Sequence, residues 1–479
     1  MTIRSSPAIL ATCGLVATLT LFAGCGSRES AHAQEQATNA PTVAVEKSKM
    51  RSGSDIPFER SWDLTLPSAV HMSWVSADIP DLLFVQVTGS NAIYAIDAFS
   101  GHTKWVTQPL PRALALPPEV ARVKMASGRV NETVNDDRLY AIVDDTLWCF
   151  DAVYGEKIWN IELPFSPSSA PHAVGPDGNL RVFIGDWAGR VQTVTWTPDT
   201  GMAYRLWQMP TKAPVTAPAI EIESLVYVGD HAGKMHCLKL EREESWSFDA
   251  GGQIHEAADA IARVLYFGTT ANVFYALNRL SGEEMAKLYL NAPIDRAPFH
   301  FLDNPNRVYV WTSSKDTSLG GLWAIDAKQD ILEVTHNLDA QNKARKKEIL
   351  RLSKAFFIPG ATRLVSSTPE HLYVTCGNTT VVQAINRKTG NTDWAWDLND
   401  GRKDKVVQVA TYHDPADQNR SIFTIDEAHR IVAYRLFGYT PGDQKIAGIS
   451  RALPVVAPKA KAKEEAAAPA DAPAAPAAP

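Results

Sequence analysis

Short apolar runs separated by polar turns recur along this chain at a nearly constant spacing. Each copy has one hydrophobic strand, a polar turn, and a second strand with a small residue near its middle. That second strand ends in Asp or Asn, and a turn containing Gly then leads to Trp. The copies Leu83–Trp105 and Leu139–Trp159 show the whole pattern. A repeat of roughly 40–50 residues with paired strands and no helices between them predicts a propeller or a solenoid.

Six more copies can be followed, which brings the number in the sequence to eight. They are marked by Val182 with Gly201 and Trp207, Val226 with Cys237 and Trp246, Leu265 with Ala276 and Gly282, Val308 with Ala324 and Asp326, Leu372 with Gly390 and Trp394, and Ile422 with Ala433. The fifth copy has no Trp, the sixth lacks both Gly and Trp, and the eighth ends before any Trp. Because the apolar runs are short and rich in β-branched and aromatic residues, we predict an all-β fold.

Two recurring residue types have a structural interpretation in such a fold. The Trp residues should fill the gaps between splayed blades, with the indole N–H free to find a carbonyl: Trp62, Trp105, Trp159, Trp207, Trp246 and Trp394. The small residues of the second strands should lie where neighbouring sheets come close: Ala95, Cys149, Cys237, Ala276, Ala324, Ala384 and Ala433.

Closure of the ring can also be predicted. Trp62 precedes the first copy and has no strands of its own, whereas the eighth copy lacks a Trp. The simplest solution is that residues 57–66 complete the last blade and join the two ends of the ring, which hides two sheet edges. The competing interpretation is that residues 444–452 supply that strand.

The pattern Ala-x-Asp-x-x-x-Gly-x-x-x-Trp of the first copy resembles the pyrroloquinoline-quinone (PQQ)-type repeat. The second copy fits it closely, the seventh fits with Asn for Asp, and the resemblance covers about residues 57–440. It implies an eight-bladed β-propeller. It does not by itself imply a quinone, because dehydrogenases and scaffold proteins share the repeat.

The N-terminus carries a second signal. Arg4 precedes an apolar run from Ala8 to Phe22, and Leu21-Phe22-Ala23-Gly24-Cys25 follows. This is a secretory signal, and it resembles a bacterial lipobox in which Cys25 becomes the lipidated first residue; Gly26 then favours sorting to the outer membrane. An ordinary cleaved signal with an incidental Cys stays open, and the run is short for an uncleaved anchor helix.

These features divide the chain into four parts: a lipoprotein signal peptide over residues 1–24, a disordered tether over 25–56, the propeller over 57–453 and an Ala/Pro-rich disordered tail over 454–479. The formal net charge is −6, so the chain lacks the overall excess of positive charge that is typical of nucleic-acid-binding proteins. Once Cys13 leaves with the signal and Cys25 is lipidated, an odd number of cysteines remains, so no disulfide framework is predicted.

Motifs for catalysis are absent from the sequence. It has no adjacent Cys pair of the kind found near the quinone in PQQ dehydrogenases, no Cys-x-x-Cys-His, no His-x-His, and no Gly-x-Ser-x-Gly. His231 and His236 straddle a predicted turn, where packing is favoured over metal ligation. We therefore expect no cofactor, no metal and no enzymatic activity, although a propeller can assemble a central site from distant loops.

Two stretches interrupt the repeat, Pro109–Val130 and residues 331–365. The second contains a segment from Lys343 to Lys354 that we predict to be a short basic helix. Loops placed by a rigid ring commonly carry recognition, so its basic residues are candidates for binding a partner or anionic lipid: Lys343, Arg345, Lys346, Lys347 and Arg351. The alternative is a solvated decoration of one rim.

A lipobox, a tether and eight PQQ-type repeats without quinone machinery resemble the BamB family of outer-membrane β-barrel assembly. That resemblance implies a non-enzymatic, lipid-anchored scaffold facing the periplasm, which docks on an outer-membrane insertase through its loops. The long tail and the basic insertion depart from the compact family pattern. Two alternatives stay open: a divergent PQQ-dependent dehydrogenase, and a ligand- or polysaccharide-binding sensor propeller.

Overall fold

The described part of the chain is an eight-bladed β-propeller in a computed structural model. The model describes residues 49–436 except 53–54, 77–78, 80, 127–132, 175–180, 198–201, 241–242, 339–343, 378–379, 410 and 413–420. These residues form eight antiparallel sheets of four main strands, so the predicted fold class is confirmed. The expectations for the signal peptide, Cys25, most of the tether, the alternative closing strand 444–452 and the tail fall outside the described residues.

The first strand of the chain, β1 (Phe58–Thr65), precedes the first blade, and blades 1 to 4 follow in sequence order. Their strands are β2 (Val70–Val75), β3 (Leu82–Val87), β4 (Ile93–Asp97) and β5 (Thr103–Val106); β6 (Glu119–Ala126), β7 (Thr133–Val143), β8 (Thr146–Asp151) and β9 (Lys157–Glu162); β10 (His172–Val174), β11 (Arg181–Asp186), β12 (Arg190–Thr197) and β13 (Met202–Pro210); β14 (Ile220–Ile222), β15 (Leu225–Gly229), β16 (Lys234–Lys239) and β17 (Glu244–Asp249).

Blades 5 to 8 complete the ring. Their strands are β18 (Asp259–Ile261), β19 (Val264–Gly268), β20 (Val273–Asn278) and β21 (Glu284–Tyr289); β22 (Phe299–Phe301), β23 (Asn304–Thr312), β24 (Gly321–Leu338) and β25 (Ala344–Pro359); β26 (Ala361–Ser367), β27 (His371–Cys376), β28 (Val381–Asn386) and β29 (Thr392–Asp397); and, for blade 8, β30 (Val406–Val409), β32 (Ser421–Asp426) and β33 (Arg430–Leu436), with β1 as the fourth strand. The short strand β31 (Thr411–Tyr412) follows β30 in the chain and adds to blade 1. In each blade the first strand is the inner one and the fourth the outer one.

The ring closes through its N-terminal strand, as predicted. β1 is the fourth strand of blade 8 and pairs with β33 in an antiparallel register, from Phe58 opposite Leu436 to Thr65 opposite Arg430. Blade 8 is therefore built from both ends of the described chain. The result is a ring whose last sheet is completed across a long sequence separation, which removes the edge that blade 8 would otherwise expose.

The core lies between the blades. Every residue of β3 is buried, and so is every residue of β32. Both faces of these strands are covered because each sheet has a neighbouring sheet on either side. This arrangement explains why strands such as β3 have a continuous run of apolar residues in the sequence, without an alternation of apolar and polar positions.

The helix predicted over Lys343–Lys354 is wrong. Residues from Ala344 onward form β25, which pairs with β24 from Gly321 opposite Pro359 to Leu338 opposite Ala344. The helical propensity of the Ala, Lys, Arg and Leu residues is a weak local preference. The ladder to β24 overrides it, because β25 is the fourth strand that blade 6 requires and its pairing simply continues past the ring.

Two rims bound the ring. We call the one with the blade-to-blade connections and the turns between second and third strands the link rim. The opposite one, with the turns between first and second and between third and fourth strands, is the hairpin rim. β31 does not belong to blade 8; it adds in parallel to the inner strand β2 and contacts β26 of blade 7. Part of the axial channel is thus occupied by the chain itself.

Candidate functional site

The repeated Trp and Gly residues form one kind of contact between blades on the hairpin rim. The Nε1–H of Trp62 donates to the carbonyl of Ala98 at 3.0 Å, and that of Trp105 donates to Ala152 at 3.1 Å. A Cβ placed on Gly101 would lie 2.6 Å from the ring of Trp62, and one on Gly155 would lie 2.5 Å from Trp105. The Trp of one blade thus packs flat against the Gly turn of the next, which we call a Trp–Gly contact.

The second strand of each sequence copy is the third strand of a blade. The small residues on these third strands pair directly with the Trp residues. Ala95 lies opposite Trp105, Cys149 opposite Trp159, and Ala433 opposite Trp62. Those small residues are almost completely buried. Trp62 and Trp105 thus pack between blades beside small residues, as part of the architecture of the ring.

The link rim has a recurring apolar contact of its own in blades 3 to 5. A Cβ on Gly185 would lie 2.6 Å from a side-chain carbon of Val215, and those on Gly229 and Gly268 would meet Ile254 and Ile294 at 2.2 and 2.0 Å. Val215, Ile254 and Ile294 therefore occupy equivalent positions in successive blade-to-blade connections. The residues that follow each of them occupy equivalent places in the ring, so any chemical difference among them is not dictated by the fold.

The residues that directly follow Val215, Ile254 and Ile294 differ strongly in their side-chain chemistry, and some of them contact exposed residues. They are Thr216-Ala217, His255-Glu256 and Asp295-Arg296. The His231 ring, on the turn of blade 4, lies 4.5 Å from the His255 ring and 6.2 Å edge-to-face from the Trp187 ring, between centroids. Trp187 is 56% exposed on the turn of blade 3. We call this group of residues, in which Trp311 is buried, the loop arc: Trp187, Thr216, His231, His255, Glu256, Asp295, Arg296 and Trp311.

A hydroxyl links the two imidazoles of the loop arc. Thr216 Oγ1 lies 2.8 Å from His231 Nε2 and 3.3 Å from His255 Nδ1, and His255 Nε2 lies 3.1 Å from Gln253 Oε1. One assignment of protons satisfies this pattern: His255 donates to Gln253, Thr216 donates to His255, and His231 donates to Thr216. It leaves His231 Nδ1 as a hydrogen-bond acceptor beside the exposed Trp187.

Two titratable side chains of the loop arc, His255 and Glu256, have shifted pKa values. Burial and the neighbouring Asp295 carboxylate together raise the pKa of Glu256 to about 7, against the opposing effect of Arg296. Burial, and then the proximity of the His231 imidazole, lowers the pKa of His255, against the opposing effect of Asp295. At neutral pH His255 is therefore uncharged, and Glu256 is poised between its two forms.

A cleft continues the loop arc between blades 6 and 7. Its volume is about 80 Å³, and it is lined by Arg296, Trp311 and the hydroxyl side chains of Thr312, Ser313 and Thr317 together with main chain at Gly360. The Arg296 guanidinium lies 5.2 Å from the Trp311 ring and donates to the Thr362 carbonyl. The cleft thus presents hydroxyl groups, main chain, the Arg296 cation and the Asp295 carboxylate, which suits a polar group of a partner.

Sequence reasoning did not find the loop arc. It singled out His231 with His236 for their spacing, but the structure separates them. His236 is buried within blade 4, where its ring nitrogens lie 3.1 Å from the Asp230 carboxylate and 2.8 Å from Glu244. The signal that could have found the loop arc is an alignment of the copies on Val215, Ile254 and Ile294, which exposes the chemically divergent positions behind them.

The predicted partner-binding residues lie elsewhere, on or beside β25 of blade 6. Arg345, Lys346, Lys347 and Arg351 are on this strand, whereas Lys343 lies outside the described residues. The strand belongs to the hairpin rim, so these residues do not join the loop arc.

The inner strands carry further polar pairs that join neighbouring blades. His172 lies 3.3 Å from Glu119, and His300 lies 2.7 Å from Asp259. Over the described residues, no three His, Cys, Asp or Glu side chains come together as a set that could hold a metal ion. The same residues include no helix long and apolar enough to span a membrane.

Comparisons with known proteins agree with this architecture. Residues 60–284 match the family described as "Outer membrane protein assembly factor BamB". A search of curated proteins finds no match. Among solved structures, BamB from Moraxella catarrhalis is 13% identical over 79% of this chain and 99% of its own, with a TM-score of 0.50.

Two other solved structures show how widely the fold is used. The computationally designed Ika8 protein is 12% identical over 79% of this chain and 99% of its own, with a TM-score of 0.51. Quinohemoprotein alcohol dehydrogenase ADHIIG from Pseudomonas putida HK5 is 12% identical over 80% of this chain and 77% of its own, with a TM-score of 0.50. At these identities the likeness concerns the fold alone.

The repeated turns and Trp–Gly contacts define the class as a PQQ-repeat β-propeller. Residues 60–284 are similar to the BamB family, and the described chain shares the fold of the solved BamB structure. The same fold also occurs in an alcohol dehydrogenase, so the fold does not decide between scaffold and enzyme.

Proposed function

We propose that this protein is a non-enzymatic scaffold of the bacterial cell envelope that is anchored by a lipid at Cys25. Its proposed role is in outer-membrane protein assembly, the role named in the description of the family that residues 60–284 match. In this proposal residues 1–24 are removed, residues 25–56 connect the lipid to the ring at residues 57–453, and residues 454–479 form a tail. The ring faces the periplasm and binds a protein partner, for which an outer-membrane insertase is the first candidate.

The loop arc is the observation that carries the proposal. The positions behind Val215, Ile254 and Ile294 are equivalent in the ring, yet they hold a hydroxyl, an imidazole and a carboxylate. An exposed Trp beside such polar groups is typical of the centre of a protein interface, because Trp, Tyr and Arg supply most of the binding energy there. The loop arc offers the exposed Trp187 and the exposed Arg296, whose guanidinium lies over the ring of the buried Trp311.

The experiment tests the loop arc in the full-length, lipidated protein. A photo-crosslinking amino acid replaces Trp187 in one strain and Ser90 in another; Ser90 is exposed on the equivalent turn of blade 1. We expect the probe at 187 to crosslink an outer-membrane insertase component and the probe at 90 to give at least tenfold less product. Equal labelling at both positions, or labelling of soluble periplasmic enzymes alone, would contradict the proposal.

A second arm addresses the alternative of a dehydrogenase. The purified protein is incubated with PQQ and Ca²⁺, desalted, and scanned for quinone absorbance and for dye reduction with primary alcohols. The scaffold proposal predicts a spectrum without bound quinone and no dye reduction. Stoichiometric quinone with turnover would overturn the non-enzymatic assignment, whatever the crosslinking shows.

A further inference from the structure

The connection from blade 6 to blade 7 can be aligned with the earlier connections on the link rim. The Gly377 N–H donates to the Gly360 carbonyl at 2.7 Å, and one blade earlier the Ser313 N–H donates to the Pro293 carbonyl at 2.9 Å. Gly360 therefore occupies the place of Pro293 in the ring. The residues that follow these two can be compared position by position.

The first of these positions shows an exchange of a large and a small residue. In blade 5 the second strand carries Gly268, and the connection that follows carries Ile294. In blade 6 the same two places hold Trp311 and Ala361, which pack in one apolar cluster. The Trp311 ring thus fills the space of an aliphatic side chain, and its centroid lies 5.2 Å from the Arg296 guanidinium.

Two positions further along, both connections carry an arginine. Arg296 precedes blade 6, and Arg363 stands near the start of blade 7; both side chains are exposed. Arg296 donates to the Thr362 carbonyl of blade 7, and Arg363 Nη1–H donates to the Val409 carbonyl of blade 8 at 3.1 Å. The two cations therefore form a row on the link rim. Glu256 holds the same place one connection earlier, so the fold does not require a cation there.

Neither arginine of this row has a counter-ion in the part of the chain that the structure describes. Arg307, Arg387 and Arg430 each form an ion pair with an Asp. Within the same described residues, Arg296 and Arg363 take part in no such pair. Partial desolvation, and then the nearby charge of Arg296, lowers the pKa of Arg363. Two like charges held close together favour a bound anion, because an anion offsets their repulsion.

The cleft beside Arg296 decides which kind of anion suits the row. The exposed hydroxyl groups of Ser313 and Thr317 line it and can donate to an anion. Asp295 lines it as well, and its negative charge opposes a doubly charged anion more strongly than a singly charged one. A carboxylate therefore suits the cleft better than a phosphate, and an arginine can bind it through two parallel N–H bonds.

We propose that Arg296, Arg363 and this cleft bind the carboxylate side chains of an acidic segment in the protein partner. An extended segment with acidic residues at alternate positions presents its carboxylates on one face, which matches a row of cations. The inference deepens the proposed function by naming the chemistry that the partner presents. It rests on that function only for the identity of the partner, because the site itself is defined by the charges of this chain.

The test uses the purified full-length, lipidated protein in detergent with two rhodamine-labelled peptides. One has four Gly-Glu repeats, the other has four Gly-Gln repeats, and fluorescence anisotropy at 50 mM NaCl measures their binding. We expect saturable binding of the acidic peptide, at least tenfold weaker binding of the neutral one, and stronger competition by acetate than by inorganic phosphate at equal ionic strength. Equal binding of the two peptides, or no binding, would overturn the proposal, and stronger competition by phosphate would overturn the choice of a carboxylate.

Variants that change one charge locate the site. Arg296→Gln and Arg363→Gln should each weaken binding of the acidic peptide at least fivefold, because hydrogen bonds between charged groups are the stronger ones. Arg112→Gln removes the same charge from an exposed side chain on the same rim, between blades 1 and 2, and should change binding less than twofold. Asp295→Asn removes the opposing charge and should strengthen binding about threefold, a gain that misfolding cannot produce. Equal losses in the three Arg variants, or weaker binding by Asp295→Asn, would refute the site.

Failure of this inference and failure of the proposed function give different results. Binding of the acidic peptide that depends on Arg296 and Arg363, without capture of an insertase component through position 187, would refute the partner proposal alone. Capture through position 187 with no binding of the acidic peptide would refute the carboxylate site alone.

Discussion

Two interfaces between blades are packed by different residues. One lies between blades 1 and 2, and the other lies between blades 5 and 6. In the first, Trp105 packs on Gly155 and donates to the Ala152 carbonyl. In the second, Ala286 stands where the Trp would be, opposite Ala276. Strands β24 and β25 stay paired past the place of the Gly turn, and we call their residues beyond Asp326 the arm. Ala327 and Leu350 of the arm fill the apolar space.

Blade 5 lacks the Trp and blade 6 lacks the Gly turn, so both halves of the Trp–Gly contact are absent from this interface, where the strands of blade 6 continue into the arm. The two residues are not always lost together, because Trp207 of blade 3 donates to the Leu240 carbonyl of a blade 4 turn that has no Gly. At the next interface Gly390 is present, and Phe356 packs on it in place of Trp. A special structure was thus inserted at one interface without loss of ring closure.

Removing the indole from a regular interface should have the largest effect. Trp105→Ala leaves a cavity between blades 1 and 2 and a free carbonyl at Ala152, so we expect it to lower the free energy of unfolding by about 4 kcal/mol. Urea denaturation followed by tryptophan fluorescence and far-UV circular dichroism measures it. A loss below about 1 kcal/mol would mean that the Trp–Gly contact does little to hold the ring.

The cost of a clash with the Trp ring can be separated from the cost of a positive φ by comparing two Gly residues. Gly101 and Gly89 both have positive φ, but a Cβ on Gly101 would meet the Trp62 ring, whereas one on Gly89 would meet nothing within 4 Å. We expect Gly101→Ala to cost about 3 kcal/mol and Gly89→Ala about 1 kcal/mol. Equal costs in urea denaturation would assign the whole effect to φ and none to the Trp.

The irregular interface should depend on the arm instead. Leu350→Ala removes a buried aliphatic side chain from the cluster shared by blades 5 and 6, with an expected cost of about 2.5 kcal/mol. The exposed neighbour Arg351→Ala is the control and should cost less than 0.5 kcal/mol. If Leu350→Ala is as mild as Arg351→Ala, the arm does not replace the missing Trp–Gly contact.

A pH series distinguishes these apolar contacts from the polar network inside blade 4. Burial acts to lower the pKa of His236, but hydrogen bonds to Asp230 and Glu244 outweigh it and hold the pKa above its ordinary value. A raised histidine pKa adds stability below the unfolded value of about 6.5, and that stability is lost as pH rises through the folded pKa.

His236→Gln should therefore cost about 2 kcal/mol at pH 6, since it leaves the buried Asp230 without its cation, and clearly less at pH 9. Trp105→Ala should cost the same at both pH values, because no titratable group takes part in that contact. A pH-independent cost for His236→Gln, measured by urea denaturation, would show that the imidazole is not charged in the folded protein.

The interface between blades 7 and 8 should show the smallest effect. There the Arg51 guanidinium lies 5.0 Å from the Trp394 ring, and Arg51 N–H donates to the Ala395 carbonyl at 2.8 Å. Arg51→Ala keeps the main-chain bond and should cost about 0.5 kcal/mol, as an exposed cation–π pair does. A loss above about 2 kcal/mol in urea denaturation would mean that the N-terminal segment is essential to ring closure.

Much of the ring could be predicted from the sequence because its packing is periodic. Ala95, Asp97, Gly101 and Trp105 recur at fixed spacing, and each recurrence reflects one contact repeated around the ring. The closing strand was predictable from a single unmatched residue, Trp62, which pairs with Ala433. Periodicity thus reports the contacts that every blade shares.

The arm and the loop arc could not be predicted in this way. Lys343–Lys354 has helical composition, and only the presence of β24 beside it makes it a strand. Trp187 and His255 come from different turns and meet only after the ring has formed. Local sequence cannot report a contact that depends on how far one blade is rotated from the next.

The central claim, that each regular interface is held by a coupled Trp and Gly pair, is tested most directly by a double-mutant cycle on Trp105 and Gly155. If it is correct, Gly155→Ala costs about 3 kcal/mol beside Trp105 but only about 1 kcal/mol in a Trp105→Ala background, a coupling of about 2 kcal/mol. A coupling of zero would mean that the two residues stabilise the ring independently, and the account of the interfaces would be wrong.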